Sequence, residues 1–250
     1  MCVKRVPFTG GKMVLNAEGT ALETRHLGFT ISPHEECGVE EAVRIIEAGG
    51  GESVVLTLGP PDAVEQLRDA MALGIDRAIH LQTDGAEWDG EATAAALVEA
   101  VRADEAASGP FDLIFFGNES ADAGGFQVGI RVARALARPC VTGLKGVKVE
   151  GESVRCEQDV DGGRDVYVVP LPAVVTVKEG LNLPRYPSVP GRMRAARKPV
   201  AAATPAPAKT RLQMMHLAVP GGSSRKTEML GNGAAAAPAV VDMLRKAGIV

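Results

Sequence analysis

The residues best suited to chemistry lie in one segment, Gly117-Asn118-Glu119-Ser120-Ala121-Asp122-Ala123-Gly124-Gly125-Phe126-Gln127-Val128, closed by Gly129. It follows the apolar run Asp112 to Phe116 and precedes a helical pattern. A glycine-containing turn between a strand and a helix exposes backbone N–H groups, and the helix dipole there favours a phosphate. Gly124 and Gly125 let a ligand approach without meeting a Cβ. Ser120 and Gln127 could add side-chain hydrogen bonds. The segment has neither G-x-G-x-x-G nor a Gly-Lys-Ser/Thr ending, so it is neither a dinucleotide fingerprint nor a P-loop. Anion binding and a plain strand-to-helix connection both fit these residues. Covalent or acid–base chemistry is not indicated. His26, His34, His80 and His216 share no metal or catalytic spacing, and no Ser/His/Asp or Cys/His set assembles. Cys2, Cys37, Cys140 and Cys156 are scattered without a CxxC, which indicates no metal site.

A second segment, Leu171 to Lys198, has a different character. It opens as an apolar run, Ala173 to Val177, then loses periodicity among Pro184, Pro187, Pro190 and Pro199. Asn182, Arg185 and Tyr186 lie between them, and the cationic run Arg192, Arg194, Arg197 and Lys198 follows. Long irregular loops in compact domains are usually functional or disordered. Proline stiffening lowers the entropy of presenting a fixed shape. Val189, flanked by prolines, has the form of an apolar anchor with a charged rim. A surface connection rich in turn residues is the plainer alternative.

The elements that must position these segments read as follows. Met1 to Val6 is a short strand, and Phe8 to Gly28 a polar excursion resembling a hairpin. Ser32-Pro33-His34-Glu35 opens a helix with a capping box, and Val39, Ala42, Val43 and Ile46 form its apolar stripe. Ser53 to Leu58, Ala78 to Leu81 and Asp112 to Phe116 are strands. Helices are expected with Val64, Leu67 and Met71 on one face, over Glu91 to Ala106, and over Gly124 to Ala137. This alternation predicts βαβ units and a parallel sheet. After Pro139, Lys145 to Val149, Ser153 to Val160 and Arg164 to Val169 read as a β meander with a turn at Asp161-Gly162-Gly163. Ala173 to Val177 follows. Ala201 to Lys209 reads as an Ala/Pro linker, Gly221 to Lys226 as a flexible patch, and Pro238 to Ala247 as an amphipathic helix with Val240, Val241 and Leu244 on one side. That helix could pack on its own domain or on another subunit. The expected organisation is an α/β domain over residues 1–200, with the loop at about 178–198, and an extended C-terminal arm over 201–250.

A net charge of −4 and 4% aromatic residues argue against a nucleic-acid surface. No apolar run reaches membrane-spanning length, and the first residues lack a signal-peptide pattern. Isolated thiols suit a reducing compartment. The reading is a soluble, cytoplasmic protein with no nucleic-acid partner and no membrane insertion.

Asn182-Leu183-Pro184-Arg185-Tyr186, followed by Pro190, Met193 and the basic tail, resembles the recognition loop of the electron-transfer flavoprotein beta subunit family. The lead-in Leu171 to Thr176 does so too. The resemblance implies a loop that anchors flavoprotein dehydrogenases through Pro184, Arg185, Tyr186, Val189, Pro190, Met193, Arg194 and Arg197. Val189 stands at the apolar tip, where the family often has leucine. Asp122, Gln127, Val128 and Gly129 match the family's AMP-phosphate loop, whereas Ala123 to Phe126 depart from its usual acidic residues or threonine. Cys2 matches a position under the adenosine. Ser32-Pro33-His34-Glu35 matches a segment contacting the nucleotide, and Leu58 the loop after the second strand. The matches run in order from Met1 to about Lys198.

The resemblance implies a nucleotide-binding domain like that of the adenine nucleotide alpha hydrolases. It also implies a heterodimer with an alpha subunit that shares FAD, and AMP held structurally. Electrons would pass from flavoprotein dehydrogenases to a quinone reductase or other acceptor, with no catalytic residue in this chain. A second reading keeps the family but puts a second FAD in place of AMP, for electron bifurcation. A third is a stand-alone adenine-nucleotide-binding protein or enzyme.

Overall fold

Apolar β-branched runs separated by helical stripes fold into parallel strands with helices on both faces. The computed structural model describes residues 1–8, 10, 13–206, 210–219 and 228–250. They fall into two units, Met1–Met215 and His216–Val250.

In the first unit, β1 (Val6–Pro7) pairs antiparallel with β2 (Phe29–Thr30) across the expected excursion. Then come α1 (Pro33–Gly49), β3 (Val54–Gly59), α2 (Val64–Leu73), β4 (Arg77–Gln82), α3 (Gly90–Ser108), β5 (Leu113–Gly117) and α4 (Val128–Ala135). After β6 (Cys140–Leu144), the meander is β7 (Gly146–Glu150), β8 (Ser153–Val160) and β9 (Gly163–Pro170), antiparallel throughout. It is followed by β10 (Ala173–Val177), α5 (Val189–Ala195) and β11 (Val200–Ala203). The second unit contains α6 (Ala237–Lys246). No helix among the described residues is long and apolar enough to cross a membrane.

Two parallel three-stranded sets, β11-β4-β3 and β5-β10-β6, are joined through the first residues of the chain. Cys2 bridges Leu56 of β3 and Phe116 of β5, both in parallel. Cys2 N–H donates to Phe115 O and Val3 N–H to Leu56 O, each at 2.9 Å. The expected strand at Met1 to Val6 is therefore a central bridge, and its end turns away to pair with β2. Strand order reverses at this segment: β3 and β4 build outward on one side, β5 and its successors on the other. In open α/β sheets, ligands bind at the carboxyl ends of strands beside such a switch point.

Side chains alternate between faces, as strand geometry requires. Val54, Leu56, Ile114, Phe116 and Val174 pack with Leu97, Val101 and Val132 of α3 and α4. Val55 and Ala78 pack with Val39, Val43, Leu67 and Met71 of α1 and α2. Phe115, Val175 and Val177 join Leu144, Val154 and Cys156 on the meander side.

Three expectations are corrected. The helix after the glycine-rich segment begins at Val128, not Gly124, because Gly124 (φ 55°) and Phe126 (φ 54°) are left-handed and cannot continue a right-handed helix. The aperiodic segment contains a helix, α5: Ser188 caps it, its hydroxyl accepting from Gly191 N–H at 3.1 Å, and Pro190 suits the first turn. Residues 201–203, expected to begin the linker, instead continue from Val200 as an edge strand on β4. The remainder of the Ala/Pro stretch reaches residues 207–209, and these, with the expected flexible patch at 221–226, lie outside the described residues.

Candidate functional site

The glycine-rich loop, residues 118–127, sits at the switch point and is stitched to the first residues of the chain and to α1. Ser32, the N-cap of α1, is buried, and its hydroxyl accepts from Ala121 N–H at 2.9 Å. Glu35 completes the expected capping box: one oxygen accepts from Ser32 N–H and the other from Lys4 N–H, both at 3.0 Å. Gly117 makes room for it, since a Cβ there would come within 2.7 Å of Glu35 Cγ. Burial pushes the Glu35 carboxyl up to about 8. Lys4 Nζ reaches Asp122 Oδ2 at 2.7 Å and Glu87 Oε1 at 2.6 Å. Burial alone would lower the ammonium's pKa, but Glu87 and Asp122 outweigh it and raise the value. Burial likewise opposes the Asp122 carboxylate, yet Lys4 and Ser120 hold it below its ordinary value.

The loop's far end leans on α3, where Gly90 allows Gln127 to pack close: a Cβ there would meet Gln127 Cγ at 2.9 Å. The floor is a polar chain across three strand ends. Gly143 N–H donates to Thr176 Oγ1 (3.0 Å), and Thr176 Oγ1 donates to Asn118 Oδ1 (2.8 Å). Asn118 N–H donates to Val177 O at 2.9 Å.

Besides Ala121, two loop N–H groups are used: Ala123 N–H donates to Asp122 Oδ1 at 2.8 Å and Gly124 N–H to Ser120 O at 3.0 Å. Among the described residues no acceptor meets those of Gly125, Phe126 or Gln127. The first-turn N–H groups of α4 follow directly and have no intrahelical partner. The set is a row of free donors of the kind that can hold an anion. Of the nearby acids, Asp122 is paired with Lys4 and Glu35 tends to keep its proton near neutrality, while the Glu119 carboxylate stands within 3.5 Å of a Cβ placed on Gly124. His34 Nδ1 is buried without a partner among the described residues, and burial lowers that imidazole's pKa. The residue stands against Gly117, at the start of the loop.

Of the residues read from sequence, Ser32, His34, Glu35 and Gly117 to Gln127 come together. Pro33 lies exposed in the first turn of α1, next to Ser32. Cys2 is buried in the apolar cluster, and Leu58 packs against it. Their side chains make no polar contact with the loop, and burial raises the Cys2 thiol to about 11. Sequence reading missed Lys4 and Glu87. The only signal was a Lys-Arg pair at the end of a short apolar strand. It also missed Asp89, which caps α3 through Ala92 N–H and holds the N–H groups of Arg211 and Leu212 at 2.6 and 3.1 Å. Beside Gln127 this leaves a cleft of about 320 Å³ lined by Asp89, Glu91, Arg131 and Arg211.

The second segment emerges from the carboxyl end of β10. Tyr186, Val189 and Met193 are exposed, and Val189 and Met193 lie one helical turn apart on α5. Pro190, Arg194 and Arg197 are also exposed, and Pro184 is half-buried. Arg185 turns back onto α1, where Glu40 Oε2 accepts from its Nε at 2.9 Å. Arg192 pairs with Asp69 at 2.7 Å, and Lys198 Nζ caps α2 by donating to Met71, Gly74 and Ile75 carbonyls.

The family model described as "Electron transfer flavoprotein domain" matches residues 20–208. The chain is 36% identical over 221 residues to the electron transfer flavoprotein subunit beta of Syntrophomonas wolfei subsp. wolfei, covering 88% of this chain and 84% of that protein. To the Bacillus subtilis subunit beta it is 35% identical over 200 residues, covering 79% and 75%. To the mitochondrial subunit beta of Arabidopsis thaliana it is 34% identical over 203 residues, covering 80% and 78%.

Proposed function

The chain belongs to the electron transfer flavoprotein beta subunit family, and on that premise we propose that it pairs with an alpha subunit to form a heterodimeric electron carrier. It accepts electrons from flavoprotein dehydrogenases and delivers them to a quinone reductase or another acceptor. FAD, held mostly by the alpha subunit with this chain as one wall, supplies the redox chemistry when bound. AMP is a structural ligand of this chain.

The observation that carries the reading is the cradle at residues 118–127. Free N–H groups of Gly125, Phe126 and Gln127 would hold a phosphate. The Ser32–Ala121 and Lys4–Asp122 contacts fix the loop before any ligand arrives, so little ordering entropy remains to oppose binding. His34 would offer its ring nitrogen to the nucleotide. The exposed face formed by Tyr186, Val189 and Met193 would dock a dehydrogenase, with Arg194 and Arg197 at its rim. Electron-transfer encounters bury small interfaces, which suits a short loop and one helix. The apolar side of α6 would pack on the alpha subunit. The scattered, unpaired thiols suit a cytoplasmic setting.

A second reading, a second FAD in place of AMP with electron bifurcation, draws on the bare stretch Ala123 to Gly125. A Cβ at Gly125 would meet nothing closer than 3.9 Å, so the loop has room for a different nucleotide. Co-expression with the alpha subunit and quantitation of released cofactors tests both. One FAD and one AMP per heterodimer supports the simple carrier, and two FAD without AMP supports bifurcation. No flavin, with this chain purifying alone, overturns both.

A further inference from the structure

Arg185 stands in the middle of the loop proposed to dock dehydrogenases, yet its guanidinium points inward. Its Nε donates to Glu40 Oε2 (2.9 Å) and its Nη2 to Glu40 Oε1 (3.0 Å). Nη1 and Nη2 donate to the two Glu47 oxygens at 2.6 and 2.9 Å, and the Arg185 N–H donates to Glu40 Oε2 at 3.1 Å. Glu40 and Glu47 are two turns apart on α1 and present one face. Glu40 is only 2% exposed, and Arg44 supports it from the next turn at 2.7 Å. Asn182 adds a second attachment, donating to Cys37 O at 3.0 Å and to Glu41 Oε2 at 2.9 Å. Residues on either side point the other way: Leu183 is 85% and Tyr186 96% exposed.

A fork of five donors matched to two carboxylates is a geometry only arginine provides. A buried carboxylate deprived of its partner is strongly unfavourable, so Glu40 makes the attachment obligatory. The loop would otherwise sample many conformations and lose that freedom on every encounter.

We propose that Arg185 is a positioning residue for docking and not a contact: clamped to Glu40 and Glu47, it fixes the presentation of Leu183 and Tyr186 to an apolar pocket on the partner dehydrogenase. This rests on the reading of the loop as the docking surface.

The test uses the heterodimer with four substitutions, Arg185→Met, Arg185→Lys, Glu47→Gln and Tyr186→Ala. Two quantities are read: hydrogen exchange of the peptide spanning residues 182–188, and kcat and KM for the heterodimer as acceptor of the flavoprotein dehydrogenase that reduces the wild type fastest. Arg185→Met is expected to speed exchange about tenfold and raise KM about tenfold with kcat kept, the scale of one lost charge-assisted hydrogen bond. Arg185→Lys should recover part of both, and Glu47→Gln, at a half-exposed site that leaves Glu40 paired, should show a smaller rise in both. Tyr186→Ala should raise KM with exchange in the neighbouring amides unchanged. A raised KM in Arg185→Met without faster exchange overturns the proposal, because Arg185 would then touch the partner. Unchanged exchange in Glu47→Gln and Arg185→Lys also overturns it if Arg185→Met fails to fold. Faster exchange with KM unchanged in every variant, Tyr186→Ala included, overturns the docking reading itself.

Discussion

Glu35 is the residue whose environment departs most from its sequence context. On a helical wheel it is an N-terminal glutamate of a capping box, a surface position. In the fold it is buried, with both oxygens satisfied by backbone N–H groups and Asp122 nearby. Its folded-state value, about 8, lies above the ordinary 4.5. Between those values the folded protein keeps a proton that the unfolded chain releases, so stability falls as pH rises through this window and levels off beyond it. Glu35→Gln cannot titrate and loses one of the two acceptors at every pH. Urea denaturation at about pH 5 and pH 9 is expected to show the stability difference shifting toward the variant at the higher pH. A difference independent of pH would refute the burial argument. Lys4 and Asp122 illustrate the opposite case, in which each charge is kept by its partner in spite of burial.

At the scale of elements, α5 is held by reciprocal caps. Arg68 Nη1 of α2 donates to the Ala195 and Lys198 carbonyls at 2.6 and 2.7 Å, while Lys198 caps α2 in return. Cations at helix C-termini satisfy orphan carbonyls and the dipole together. The helices touch at Gly191, where an added Cβ would lie 2.5 Å from Ala72 O. A backbone carbonyl cannot yield as a side chain can, so Gly191→Ala is expected to cost about 2 kcal/mol by overpacking and to lower Tm. Val189 is on the opposite side of the same short helix and 74% exposed. Val189→Asp should leave Tm unchanged and slow electron acceptance from a dehydrogenase. Equal effects of the two substitutions on stability would mean that α5 does not have the two-sided character described.

At the scale of the first unit, the central place of the first residues makes the sheet one structure: without the Cys2 bridge, its two parallel sets have no common hydrogen-bonded neighbour among the described residues. The second unit is of another kind. In α6, Val240, Met243 and Leu244 recur at helical spacing, yet no residue of the helix is buried. Such a stripe stabilises little until covered. Leu244→Asp is expected to leave the thermal transition of the first unit in place and to raise the dissociation constant of the heterodimer at least about tenfold, the effect of about 1.4 kcal/mol. Analytical ultracentrifugation of the purified pair measures it, and an unchanged constant would remove α6 from the interface.

The sequence by itself determined the α/β alternation, the meander and its Gly162 turn, and the position of a glycine-rich loop after β5. Local signals suffice for these, because strand and helix periods and turn residues act over a few positions. The family was also legible, since its motifs lie in order along the chain. Tertiary structure alone decided that Lys4 meets Asp122, that the Ser32 hydroxyl reaches Ala121, and that the Arg185 guanidinium turns onto α1. It also turned an Ala-rich stretch into β11, because an open edge on β4 supplied the hydrogen bonds that local propensity does not favour. Each of these pairs residues distant in the chain, and the attraction that offsets the cost of desolvating them exists only once the sheet has brought those residues together.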